Sequence, residues 1–370
     1  MDQPAVIPEK RKREEVKPII AVCRNLYGYE AGAREYLPES LRDLHARRPG
    51  LFPEPDHLHH AQSLEDPRHR QARANPEEDL AFLDSTDTET VVFALNAAGC
   101  AKVVNTDYAI AVTRAVNDWV YDHYLTFSPR FKALALLPMQ RPAAAVDELK
   151  RAVMDLGMLG ALLPSNGLKG LLGSYEYWSV YEAADRLGCC LAIRGANHGG
   201  LGFDDLNVYA PAHALGHPYG LLNSFASILY NDIFDRYPRV RIGFLEGGVA
   251  WLLMAMERFD MAHKDYPPYD LRGELLRLNG EESVSDYILR QVRQGKFFVS
   301  CSGGEPLLAE GVRICGAEPF MYQEFSHRLT AEDTKEMAQK ILNREDLTPE
   351  ERETIVYVNP RRFYNLPVEA

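Results

Sequence analysis

The sequence predicts a single (β/α)8 barrel of the TIM type, and three observations carry that prediction. Short apolar runs recur at 19–23, 90–95, 131–137, 160–163, 190–193, 240–245, 297–301 and 320–324, eight in all. They are near-continuously apolar rather than alternating, the pattern of strands buried on both faces of a parallel sheet. Helical patterns fall between them, and strand–helix alternation repeated eight times favours a barrel over an open sheet.

Among the helical stretches, 143–156 (AAAVDELKRAVMDL) has apolar residues at helical spacing and ends at Gly157, a residue suited to a C-cap. Residues 175–187 and 248–261 have the same character. Segment 47–78 is rich in Pro, His, Arg and Asp and lacks periodicity. It is expected as a long loop excursion after the first strand, the kind of loop that is usually functional or mobile. The barrel domain is expected over 18–370, after a flexible arm at 1–17 whose mixed-sign run Glu9–Glu15 reads as solvated.

The 370 residues are 46% hydrophobic and 25% charged, an ordinary globular composition with ample length for one large core. A net charge of −12 with no balancing basic stripe argues against nucleic-acid binding. No apolar run reaches the ~18 residues of a membrane helix, and no apolar segment follows the basic residues as in a secretory leader. Six cysteines without CxxC spacing read as reduced core thiols of a cytoplasmic protein. Without a GxGxxG or P-loop, no nucleotide cofactor is expected. Ser302 and Ser326 do not lie in a nucleophile elbow.

Several stretches resemble one family. They are Arg114-Ala-Val-Asn-Asp-Trp119, 134–140 (LALLPMQ), 157–164 (GMLGALLP), 213–218 (HALGHP), 234–260 (FDRYPRVRIGFLEGGVAWLLMAMERFD) and the closing Asn359-Pro-Arg-Arg-Phe-Tyr364. The chain is similar in them to the amidohydrolase-related (amidohydrolase 2, aminocarboxymuconate-semialdehyde decarboxylase-like) hydrolases and decarboxylases. The likeness runs from about residue 83 to the C-terminus and is weak before it. It implies the metal-dependent-hydrolase TIM barrel, a small-molecule substrate and a homo-oligomer (dimer or tetramer).

The resemblance also implies a metal at the barrel mouth, held by an (H/E/D)-x-H pair ending strand 1, a His ending strand 5 and an Asp ending strand 8. Counting back from Tyr36-Leu-Pro38, the strand-1 pair falls on Val22 and Arg24, give or take a residue or two. The strand-5 ligand position is Arg194, the strand-8 position is Glu324, and strand 6 ends in Glu246. A guanidinium is a donor that does not deprotonate. At ~4 Å and an effective dielectric of ~20, each unit-charge pair costs about 4 kcal/mol, and a dication doubles it. The chain is therefore expected to be a divergent member with a degenerate site, binding no metal and no other cofactor.

Barrel chemistry sits at the C-terminal strand ends. There Arg24, Arg194, His217 and Trp251 are expected to bind substrate, and Glu246, Glu324, His327 and His198 to supply acid–base groups. The substrate would be a small organic acid or an aromatic or polyketide-like compound, and the reaction hydrolysis, decarboxylation or another lyase step. Two alternatives stay open. An Arg–Glu network could plug the site, leaving a non-catalytic barrel that binds a ligand or partner. A zinc site could persist on Glu324, His327 and the His57-Leu-His59-His60 cluster. His198 also reads as a loop residue, 213–218 as a structural turn before Pro218, and Gly303-Gly304 as a turn rather than a phosphate cradle.

Overall fold

A computed structural model describes residues 19–45, 50–53, 74–195, 200–203, 205–323 and 330–367. Of the residues singled out above, His198, Glu324, Ser326, His327, most of the 47–78 excursion with its His57–His60 cluster, and the arm at 1–17 lie outside the described residues.

The eight predicted strands are present: β1 (Ile19–Asn25), β2 (Thr88–Ala94), β3 (Phe131–Ala133), β4 (Gly160–Pro164), β5 (Cys190–Arg194), β6 (Arg241–Leu245), β7 (Phe297–Cys301) and β8 (Phe320–Tyr322). All pair in parallel, in the order β1-β2-β3 and β4-β5-β6-β7-β8. The two sets meet at both seams. Ala135, just past β3, bridges Ala161 of β4. At the other seam β8 lies against β1, and Gln323 Nε2 donates to the Cys23 carbonyl at 3.4 Å. The Tyr364 hydroxyl donates to the Val22 carbonyl beside it. β4, β7 and β8 are buried along their whole length, which is why their sequences do not alternate.

Helices cover the outside: α1 (Pro76–Ser85), α2 (Thr106–Val120), α3 (Pro142–Met154), α4 (Trp178–Leu187), α5 (Tyr209–Tyr230), α6 (Ala250–Asp265), α7 (Val284–Arg293), α8 (Leu308–Cys315), α9 (Ala331–Leu342) and α10 (Asn359–Tyr364). Their ends follow local chemistry. Asn75 caps α1 by accepting from the Glu77 and Glu78 amides, so the helix takes over the last residues of the predicted excursion. Ser283–Asp286 and Thr330–Asp333 form reciprocal capping boxes. All six cysteines are buried and unpaired.

Two expectations need correction. Residues 213–218 form no turn; they lie inside α5, with Pro218 in the helix interior. Proline removes one helical amide and crowds the preceding turn, but α5 is held between Ser165 and the core. The Ser224 hydroxyl donates to the Ser165 carbonyl, and Phe225 packs edge-on against Phe244 and Trp251. The third strand was expected over 131–137, but regular pairing ends at Ala133. A side chain replaces it. Asn117 of α2 donates from Nδ2 to the Leu136 carbonyl and accepts at Oδ1 from the Leu136 amide, both at 3.0 Å. The same Nδ2 reaches Glu148 of α3 at 2.7 Å.

Asn117 is fully buried, so Asn117→Ala strands two backbone groups and weakens the setting of Glu148. An unsatisfied buried polar group costs about 1–3 kcal/mol. Urea unfolding of this variant should show a loss of about 2–4 kcal/mol, and an unchanged midpoint would reject the substitution of side chain for strand.

Candidate active site at the barrel mouth

Arg194 ends β5 and Glu246 follows the last residue of β6, so both project at the C-terminal rim. Arg194 donates from Nε to Glu246 Oε2 and from Nη1 to Asn25 Oδ1. Only 14% of the Arg194 side chain and 9% of the Glu246 side chain are exposed. Burial works against the guanidinium charge, but Glu246, Cys23 and Tyr27 together more than offset it, and the Arg194 pKa rises above its ordinary value.

Glu246 is one of few non-glycine residues with positive φ, at 66°. That conformation aims its amide at Ser300 Oγ (2.7 Å) and Gln323 Oε1 (3.3 Å). Gln323 returns a bond from Nε2 to Glu246 Oε1 at 3.2 Å. Strain of this kind collects at functional sites. Asn25 Nδ2 donates to the Tyr27 hydroxyl at 3.1 Å. The Cys23 thiol lies in the same cluster, where burial pushes its pKa up to about 12 against the pull of Arg194.

His217, on α5, places Nδ1 3.7 Å from Glu246 Oε2. The close approach depends on Gly195. A Cβ there would sit 2.5 Å from His217 Cγ. Beside the pair opens a cavity of about 500 Å³, lined among others by His213, His217, Glu246, Trp251, Ser302 and Glu305. Trp251 is 3% exposed, and its Nε1 has no hydrogen-bond partner among the described residues. Gly303 and Gly304 form the turn after β7. It positions Glu305, whose carboxylate accepts from the Ser302 amide at 2.6 Å and the Val249 amide at 2.7 Å. Burial raises the Glu305 pKa against those two bonds.

Four predicted residues are thus brought together: Arg194, Glu246, His217 and Trp251. Arg24 is not among them. Strand alternation puts Cys23 and Asn25 on the Arg194 face and turns Arg24 toward α1. There its guanidinium stacks 3.7 Å over the Phe82 ring, 4.0 Å from Asp79. Asn25, Gln323, Ser300 and Glu305 escaped the sequence reading. Asn25 alone had a signal, the two-residue spacing from Cys23.

The described mouth residues do not fit the divalent ion that the resemblance implies. A donor-only guanidinium stands at the strand-5 ligand position and already bonds Glu246. Among the described residues, no three His, Cys, Asp or Glu side chains converge to hold a metal.

The sequence profile of the amidohydrolase family matches residues 45–276, and the chain belongs to that family. Its sequence is 32% identical over 253 residues to a gamma-resorcylate decarboxylase of Rhizobium sp. strain MTP-10005, covering 63% of this chain and 71% of that enzyme. A second gamma-resorcylate decarboxylase, from Polaromonas sp. strain JS666, is 24% identical over 210 residues, 53% of this chain and 64% of its own length. The match to the Rhodococcus jostii enzyme spans 61% of that relative. In fold, the chain is similar to a 5-carboxyvanillate decarboxylase from Sphingomonas paucimobilis (TM-score 0.71, 17% identity, 95% of this chain and 99% of that one). It is also similar to a Polaromonas dihydroxybenzoic acid decarboxylase solved with bound manganese and 2-nitroresorcinol (TM-score 0.65, 17% identity, 94% and 97%).

The network makes a prediction about stability. Removing one partner of a buried ion pair typically costs about 3–5 kcal/mol, because the other charge stays buried. Glu246→Leu and Arg194→Leu should each lose stability on that scale in denaturant unfolding, and the double variant should lose much less than their sum. Additive losses would show that the two side chains act independently.

Proposed function

We propose that this chain is an amidohydrolase-family lyase that decarboxylates a small aromatic acid at the barrel mouth, without the family's metal. The observation that carries the reading is Glu246, held by the buried Arg194, with His217 beside it; Glu246 and His217 both line a cavity sized for one small molecule. The decarboxylases among its relatives support the substrate class.

Each residue has a task the geometry allows. Arg194 is not among the residues lining the cavity; its Nη2 makes no hydrogen bond among the described residues, and in this reading an anionic oxygen ortho to the substrate carboxylate reaches it past Glu246. Glu246 accepts from Arg194 and Gln323, which favours its ionised form. As an anion it favours a protonated His217. His217 then delivers a proton to the ring carbon bearing the carboxylate, giving a cyclohexadienone. The carbon–carboxylate bond breaks next, CO2 leaves, and the electron pair returns through the ring to the oxygen held by Arg194. His217 regains a proton from solvent. Trp251 forms the apolar wall of the cavity. Glu324, His327 and His198 remain further acid–base candidates by their sequence positions near the strand ends.

The buried, unpaired thiols support a cytoplasmic setting. A second reading is favoured by how fully Glu246 is occupied: a barrel that binds an aromatic acid and does not turn it over.

The test is CO2 release from 2,6-dihydroxybenzoate and 5-carboxyvanillate, with metal content measured on the same untagged protein. Turnover with substoichiometric metal, unchanged by added Mn2+ or Zn2+, is the expected outcome. Stoichiometric metal would overturn the metal-free mechanism, and binding without CO2 release would leave the second reading. General acid catalysis contributes roughly 10²–10⁴-fold, so His217→Gln should lower kcat by that much with little change in KM. Misplacing a catalytic group by about 1 Å can cost 10²-fold. Gly195→Ala, whose Cβ would crowd both the ring and the Cβ of His217, should therefore lower kcat on that scale in the fraction that remains folded, with the thermal midpoint somewhat reduced. Full activity in Gly195→Ala would remove His217 from the reaction.

A further inference from the structure

The opposite pole of the barrel carries a second cavity, of about 880 Å³, beneath the starts of β5, β6 and β7. Five cationic side chains line it, Arg239, Arg241, Lys296, Arg361 and Arg362, and among the described residues no Asp or Glu lines it. On a chain of net charge −12 this concentration of one sign is unexpected.

Part of the charge is met from behind. Arg239 pairs with Asp185 at 3.1 Å, Lys296 lies 3.8 Å from Asp235, and Arg361 bonds Glu89. Arg241 and Arg362 have no carboxylate partner among the described residues. Arg241 is held by carbonyls alone, from Nε to Phe363 and from Nη2 to Gly188, both at 2.8 Å. These bonds orient the guanidinium without neutralising it. Arg362 is exposed and lies over Gly295, where a Cβ would approach its Nη2 to 2.3 Å. Gly295 has φ 69°, so glycine both makes the turn before β7 and leaves room for Arg362. The third sign of incompleteness is Arg361. It is 5% exposed, yet its buried Nε has no partner among the described residues.

Bolting α10 to the barrel floor accounts for Arg241 and for the two bonded ends of Arg361. It does not account for Arg362, which bonds nothing among the described residues, or for Arg241, which no carboxylate meets among the described residues. Tyr357, Val358 and Leu366 give the cleft an apolar side, with Gln294 and Asn365 among its polar lining. A volume of several hundred Å³ with convergent polar groups is the form of a small-molecule site.

We propose that this cleft binds a phosphorylated organic molecule of about nucleotide size. Its phosphate would sit between Arg241 and Arg362, where a guanidinium fork matches phosphate oxygens. Its organic body would lie against Tyr357, Val358 and Leu366. The site is separate from the barrel mouth and does not rest on the reaction proposed there.

Calorimetric titration of the full chain with adenosine monophosphate and with inorganic pyrophosphate, at constant ionic strength, tests this. Both should bind with sub-millimolar Kd, and Arg362→Glu should weaken both by at least about tenfold, since it reverses an exposed charge beside the site. Arg362 makes no hydrogen bond or ion pair among the described residues, so the unliganded thermal midpoint of this variant should not fall below the parent's. His217→Gln should bind both probes as the parent does. Failure of the parent to bind either probe, or equal binding by Arg362→Glu, would overturn the site. Binding of pyrophosphate alone would overturn the organic-ester assignment.

Discussion

The mouth of this barrel depends on the ion pair between Arg194 and Glu246. Its partners come from five strands or the residues just after them: Asn25 on β1, Arg194 on β5, Glu246 after β6, Ser300 on β7 and Gln323 after β8. The Arg194–Asn25 bond joins residues 169 apart and links the two sets of strands. Taking two charges out of water costs about as much as their attraction returns, so such a pair adds little net stability. Its contribution is geometry. A guanidinium fork can hold a carboxylate and a carboxamide at once. The left-handed backbone of Glu246, unfavourable by about 1–2 kcal/mol, is offset by the two bonds its amide gains.

That architecture was largely legible in the sequence, and the unread parts have physical causes. Strands buried on both faces leave apolar runs, so all eight were visible. Arg194 and Glu246 were visible because they follow such runs directly. Arg24 was misplaced because a shift of one residue moves a strand side chain to the opposite face, and the mouth residue is its neighbour Asn25. The early end of β3 was hidden because the backbone at Leu136 is bonded by a helix side chain, Asn117, which no strand pattern announces. The helix through Pro218 ran against local propensity, and packing of Phe225 and Ser224 on the core prevailed. Gln323 and Ser300 carry no signal of their own, since polar residues near strand ends are common.

Replacing an imidazole by a guanidinium changes which reactions a mouth of this shape can promote. A neutral imidazole can hold a dication, and a dication can lower the pKa of bound water enough to make hydroxide. A guanidinium supplies a fixed single positive charge and hydrogen-bond donors. It suits steps in which negative charge develops on a substrate oxygen, with a proton delivered from elsewhere. Loss of CO2 from a ring-protonated acid is such a step; water attack on an amide also develops an oxyanion but needs an activated water, which a guanidinium does not supply. The residue exchange at Arg194 therefore favours the lyase branch of the family's chemistry on the proposed reading.

The strands of the central pair also run between the two poles. β5 starts after Gly188, whose carbonyl holds Arg241, and ends at Arg194; β6 starts at Arg241 and leads into Glu246. A physical link between the basic cleft and the mouth therefore exists in the backbone. A link alone is not coupling, which requires an element with two arrangements that both sites bias. β5 and β6 pair in unbroken register from Cys190–Arg241 to Arg194–Leu245, with no bulge or register shift to supply a second arrangement. An anion in the cleft should then stabilise the folded barrel by mass action while kcat and KM at the mouth stay the same.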